Sequence, residues 1–208
     1  MQNKPVVAGV GMTSFVKPGT SPAYSEMGGQ AIELALQDAG LDYNLVQQAY
    51  ASYVYGDSTC GQAAIYRVGM TGIPVINVNN NCSSGSTALF LARQAVESGA
   101  ADCVLAVGFE QMLPGALGSA FPERPSPFDH FLSNADETQG PSEAPLALRL
   151  FGGAGAEFQE KYGISNEAFA MITVKARQHA QHNEKAIFRT PVTVEEVLAS
   201  PKMFKSLT

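Results

Sequence analysis

The sequence predicts an α/β fold: a mostly parallel sheet covered by helices on both faces, followed by a mainly helical insertion. Three observations carry that expectation. Short apolar runs without polar alternation (PVVAGVG from Pro5, PVINV from Pro74, DCVLAVGF from Asp102) read as strands buried on both faces. Segments of helical periodicity lie between them, so strand and helix alternate along the chain. Composition then shifts at Met112, beyond which residues 114–145 hold six of the twelve prolines. The boundary expected from that shift separates residues 1–111, an α/β domain, from 112–208, a helical and loop domain.

Taken in order, Pro5–Gly11 is expected as the first buried strand. Ser25–Ala39 has an apolar helical face (Ile32, Leu34, Ala35, Leu36, Ala39) and Gly40 as its stop. A short helical turn over Asp42–Gln48 leads to a strand at Ala49–Tyr55 with alternating aromatics. Gly56–Gly69 carries Cys60 and a second helical pattern, with Arg67 its one basic residue, either solvated or at an oligomer interface. Pro74–Val78 is a strand, Asn79–Ser84 a tight polar turn, and Ser86–Ser98 a helix. Its apolar Ala88, Leu89, Leu91, Ala92, Ala95 and Val96 occupy most of the circumference, which predicts burial nearly all round. Asp102–Phe109 reads as a central strand, with Cys103 a packing residue.

The proline-rich stretch is too long for an ordinary connection and is expected to be irregular. Helical patterns resume over 144–162, closed by Gly163, then over Glu167–Asn183 behind the cap residue Ser165, and last over Thr193–Ala199.

A net charge of −6 without a basic stripe argues against nucleic acid as a partner. No apolar run is long enough to span a membrane, and the opening MQNKPVV lacks a basic-plus-apolar signal pattern. Three cysteines (Cys60, Cys82, Cys103), an odd number without metal-type spacing, suggest reduced thiols and a cytoplasmic setting, or a peroxisomal one in a eukaryote. Gly9-Val10-Gly11 lacks the third glycine of a dinucleotide fingerprint, since Ser14 stands there. Gly152-Gly153-Ala154-Gly155 has no Lys-Ser/Thr after it and is not a P-loop. His179 and His182 share a helical face beside Arg177 and Lys185, but no third ligand joins them, so a solvated basic patch is expected and no metal site. His130 has no evident role.

The candidate site is Cys82. It stands between a buried strand and a helix, where backbone N–H groups and the positive end of the helix dipole favour an anionic sulfur. Three amides (Asn79, Asn80, Asn81) precede it, and Ser83, Ser84 and the side-chain-free Gly85 follow. So polar a turn between two apolar elements suggests a polar group to face. A lone cysteine before a helix is also a common packing residue, and spacing alone leaves both readings open.

The stretch NVNNNCSSGSTALFLARQAVESGAADCVLAVGFEQM resembles the thiolases, most closely the sterol-carrier-protein-2-type branch. The likeness runs from VVAGVGMTSF near the start to VTVEEVLASPKMFKSLT at the end. It implies a layered α-β-α fold, the first βαβαβαβ half of a thiolase with its inserted loop domain. It further implies that Cys82 accepts an acyl group from acyl-CoA, and that Phe151 and Gly152 line the acyl-CoA pocket. Coenzyme A and acyl-CoA would be substrates, with no covalently held cofactor. The final strand of the first half and the whole second half, with its catalytic His and second Cys, are absent from this sequence. The expected partners are therefore that missing half, on the same or a separate chain, and further copies in a homodimer or tetramer. The chain alone is expected to be inactive. The alternatives are a non-catalytic partner subunit in acyl-CoA or sterol metabolism, and a ketoacyl-synthase-like condensing enzyme.

Overall fold

A computed structural model of the chain describes residues 4–114 and 121–208. Among the described residues, the part of the chain before residue 117 holds a three-stranded parallel sheet of β1 (Gln48–Ser52), β2 (Val75–Val78) and β3 (Val104–Gly108), in the order β2-β1-β3. Helix α1 (Tyr24–Ala39) comes before the sheet, α2 (Cys60–Ile65) links β1 to β2, and α3 (Ser84–Glu97) links β2 to β3. Ala49 and Ala51 of β1 point to one face, with Ile32 of α1, Ile65 of α2, Leu105 and Val107. Tyr50 points to the other, with Val78 and the α3 stripe Ala88, Ala92 and Ala95. The two-residue period of a strand thus gives each face its own core, and the unit is a three-layer α/β/α sandwich.

The chain divides into two compact units, Met1–Ala116 and Leu117–Thr208. The second is helical, with α4 (Asp129–Gln139), α5 (Leu146–Tyr162), α6 (Asn166–Ala180) and α7 (Val194–Leu198). The expected irregular stretch therefore contains a helix, α4, which the flanking prolines obscured. Residues 115–120 of that stretch lie outside the described residues. Gly40 and Gly163 end α1 and α5 in left-handed conformations, φ 64° and 65°, as their positions predict. Thr193 caps α7 in a reciprocal box, accepting from the Glu196 N–H at 3.2 Å while its own N–H donates to Glu196 Oε2 at 2.8 Å.

Two expectations need correction. Pro5–Gly11 is no strand: among the described residues it pairs with none, and its Val6, Val7 and Val10 are exposed. Its backbone lies on α1 instead, where Val10 N–H donates to Asp38 Oδ2 at 2.9 Å. A Cβ on Gly9 would come within 2.5 Å of the Ala35 carbonyl oxygen, so only glycine permits this approach. Nor is α3 buried nearly all round. The sheet covers its small-residue stripe, while Leu89 and Phe90 on the opposite side are exposed. An apolar circumference requires neighbours on two sides, and this unit supplies one.

Helix α2 approaches the sheet closely at Gly61, whose N–H donates to Asn77 Oδ1 at 2.9 Å. Asn77 Nδ2 in turn donates to Gln62 Oε1 at 2.8 Å. A Cβ on Gly61 would stand 2.5 Å from that of Ala51. Gly61→Ala is therefore expected to cost about 2 kcal/mol by overpacking. A urea titration followed by far-UV circular dichroism measures it as a lower midpoint.

Candidate active site

Cys82 is an exposed free thiol two residues ahead of the first residue of α3. It belongs to the carboxyl ends of parallel strands, where open α/β sheets bind ligands. Tyr53 N–H, just past β1, donates to the Val78 carbonyl at 3.3 Å, which ties the loop after β1 to the base of the Cys82 turn. Buried Ser52 lies under both: its hydroxyl donates to the Val107 carbonyl at 3.1 Å, and a Cβ on Gly85 would stand 3.9 Å from it.

The polar residues around Cys82 are turned mainly on their own backbone. Asn80 N–H donates to Ser84 Oγ at 2.8 Å, and the Ser84 hydroxyl donates to the Asn81 carbonyl at 2.6 Å. Asn80 Nδ2 donates to Thr87 Oγ1 at 2.9 Å, Thr87 donates to the Ser83 carbonyl at 3.0 Å, and Ser83 to the Asn80 carbonyl at 2.9 Å. Asn81 takes a left-handed φ of 49°, which asparagine tolerates better than most residues. The amides and hydroxyls thus fix a strained turn and present the thiol outward. The sequence did not separate this role from that of facing a substrate.

Among the described residues no side chain caps α3. Among the described residues, the Gly85 and Ser86 N–H groups have no acceptor. These are the unpaired donors of a helix start, and they favour negative charge nearby.

The other two thiols are placed differently. Cys103 packs half-buried at the edge of the α1/α2-side core, and burial pushes its thiol up from the usual range. Cys60 is buried at the start of α2, next to Tyr24 and Tyr53, and both these rings stack on Phe109. The hydrogen bond to Cys60, then burial, raises the Tyr24 phenol; burial, then the charge of Cys60, raises that of Tyr53. A phenol whose folded pKa is raised contributes stability that is whole below its unfolded value, about 10. That contribution is lost as pH rises through the folded value. Urea midpoints are therefore expected to fall above about pH 10, and Tyr53→Phe to flatten the decline.

In the second unit, Phe151 is 78% exposed on α5, while a Cβ on the neighbouring Gly152 would meet the Phe204 ring at 3.0 Å. The two residues thus face different ways, Phe151 to the surface and Gly152 to a packed ring. A cleft of about 870 Å³ in this unit is lined by Gly153 and mainly polar residues, among them Gln139, Asn166 and Lys205, and includes neither. A cleft of about 600 Å³ in the first unit lies at the far end of α3, against Gln48 and Gln94, away from Cys82. His179 and His182 are exposed. No group of three metal-ligating side chains occurs among the described residues, and no helix among them is long and apolar enough to cross a membrane.

Sequence reasoning missed two arrangements. Glu110, after β3, accepts from the Val54 and Tyr55 N–H groups at 2.9 and 3.2 Å. Arg149 is buried in α5, where its Nη2 meets Asp136 Oδ1 at 2.6 Å and the Gly140 carbonyl at 3.3 Å. The sequence offers a weak signal for the first, an acid directly after a buried apolar strand. For the second it offers none, because the partners are thirteen residues apart on different helices.

Comparison with known proteins agrees with this architecture. Sterol carrier protein 2 of Gallus gallus is 50% identical over 210 residues, covering 100% of this chain and 38% of the relative. Its Homo sapiens counterpart is 49% identical over 205 residues, covering 97% and 38%. The chain thus spans well under half the length of these curated relatives. The solved Ltp2-ChsH2(DUF35) aldolase superposes with a TM-score of 0.72 at 21% identity, over 96% of this chain and 50% of that one, a likeness of fold. The family described as "Thiolase, N-terminal domain" matches residues 5–205, and the chain belongs to the thiolase family.

Proposed function

We propose that the chain supplies the nucleophile of a thiolase-type acyl-CoA acyltransferase, with Cys82 as the acyl-accepting residue. The observation that carries this reading is an exposed thiol held by a strained, internally bonded turn beside the uncapped start of α3. Membership of the thiolase family supports assigning acyl-transfer chemistry to that thiol.

In the proposed first step, the Cys82 thiolate attacks the carbonyl carbon of an acyl-CoA thioester. The carbon–sulfur bond to CoA breaks, CoA leaves and takes up a proton, and the acyl group stays on Cys82. A second acyl-CoA, deprotonated at its α-carbon, then attacks the acyl-cysteine and expels the Cys82 thiolate. The new carbon–carbon bond gives a 3-ketoacyl-CoA, and degradation runs the same steps in reverse. Charge on the carbonyl oxygen in each tetrahedral intermediate calls for N–H donors aimed at it, and the start of α3 offers unpaired ones.

A base is also required, and the first unit contains no histidine, since all three lie at 130, 179 and 182. We assign the base to a second thiolase half, on the same or a separate polypeptide. The uncovered Leu89 and Phe90 face of α3 is consistent with a protein surface against it. Without that half the chain is expected to bind or label at Cys82 but not to turn over.

Alkylation with iodoacetamide tests the assignment. Cys82 is expected to react well ahead of buried Cys60 and of Cys103, whose thiol burial pushes up, and acetyl-CoA is expected to slow it. Equal reaction of all three thiols counts against a nucleophile at Cys82.

A further inference from the structure

We propose that Glu110 is a positioning residue of the Cys82 site, holding the segment after β1 as a wall of the crevice through which an acyl thioester reaches the thiol. The proposal rests on the acyl-CoA reading above.

Strand β1 is central, so the segment that leaves its carboxyl end opens beside both neighbouring strands. After Ser52 the β1 ladder stops, and among the described residues no strand accepts from the Val54 and Tyr55 N–H groups. Glu110 fills that gap from more than fifty residues away, one carboxylate oxygen to each N–H, at 2.9 and 3.2 Å. The residues around it hold the same segment. Phe109 N–H donates to the Ser52 carbonyl at 3.1 Å, and the Phe109 ring stacks on Tyr53 with centroids 5.3 Å apart. Gln111 Oε1 accepts instead from Tyr24 N–H, at the start of α1, at 3.0 Å. Tyr53 N–H reaches Val78, from which the chain runs straight into the Cys82 turn.

The segment is therefore fixed on one side to β3 by a charged acceptor and on the other to the base of the nucleophile turn. Hydrogen bonds to a charged acceptor are the stronger kind, and an ordinary turn would need no such acid. Tyr55, held by its N–H, is partly exposed at this end of the sheet, where ligands of such folds are gripped. Glu110 does not contact the reacting atoms in this account. It acts through the backbone of Val54 and Tyr55.

The test is acetyl-CoA protection of Cys82 against iodoacetamide, measured in the native assembly for the unsubstituted protein, Glu110→Gln and Glu110→Asp. An amide keeps one acceptor and turns an NH2 toward the other N–H; an aspartate keeps the charge but falls short by one methylene. The half-protecting concentration of acetyl-CoA is expected to rise about tenfold in Glu110→Gln, the weight of one charge-assisted hydrogen bond, and by less in Glu110→Asp. The alkylation rate without acetyl-CoA is expected to stay within about twofold, because the Cys82 turn keeps its own bonds. Unchanged protection in both variants overturns the proposal. So does a parallel change in the bare alkylation rate and the melting temperature, which would mark a merely structural role. If acetyl-CoA fails to protect even the unsubstituted protein, the acyl-CoA reading falls, and this proposal with it.

Discussion

On the proposed acyl-cysteine reading, replacing Cys82 by alanine or serine is expected to reduce acyl transfer by the complete assembly on the order of 10⁴-fold or more, because the proposed covalent intermediate could not form. Serine keeps the shape but offers a far weaker nucleophile at neutral pH, and the base placed for a thiol does not compensate. Stability is expected to change little. The Cys82 side chain is exposed, and the bonds of its turn run through Asn80, Ser83, Ser84 and Thr87. Initial rates of thiolysis and a thermal melt on the same samples separate the two effects. Loss of activity with an unchanged melt is the expected pair.

Asp136→Ala is expected to destabilise the second unit by about 3 kcal/mol, since it leaves a buried guanidinium without its counter-charge. The Arg149 side chain is 6% exposed and that of Asp136 53%, so the cost falls on the arginine. Among the described residues, Arg149 Nε already lies buried without a hydrogen-bond partner, as does Gln139 Oε1. The ion pair is therefore an incompletely satisfied group, and its net contribution is small even though breaking it is costly. Arg149→Met, close in volume and uncharged, is expected to cost less than about 1.5 kcal/mol. The double variant should then resemble Arg149→Met alone, because once the charge is gone Asp136 has nothing to neutralise. Thermal melts of the four proteins check this, with a fall of about 10 °C for Asp136→Ala.

Much of the fold was legible because local signals agreed with one another. Gly40, Gly163 and Thr193 mark helix ends where their backbone chemistry requires them, and the runs at 74–78 and 102–109 become β2 and β3 with one or two residues lost at the start and at most one at the end. Pro5–Gly11 failed because an apolar run specifies a strand only if another strand lies beside it. Here Gly9 and Gly11 bring the backbone against α1 instead. The exposure of Leu89 and Phe90 was hidden for a related reason: an apolar helix surface does not say which neighbour covers it. At the candidate site, Cys82 stood out through its polar turn and family wording. Which polar groups hold the turn and which remain free is a matter of geometry. Ser84 serves both Asn80 and Asn81, and no periodicity reveals that. Glu110 and the pair Arg149–Asp136 act across long or inter-helical separations, where one sequence carries little signal.

On the proposed reading the Cys82 sulfur becomes acylated. Incubating the native assembly with acetyl-CoA, quenching in acid and mapping peptides by mass spectrometry tests it directly. One acetyl group on the peptide containing Cys82, removed again by added CoA, is the predicted result. Acetylation elsewhere, or none while the assembly still turns over acyl-CoA, would contradict it.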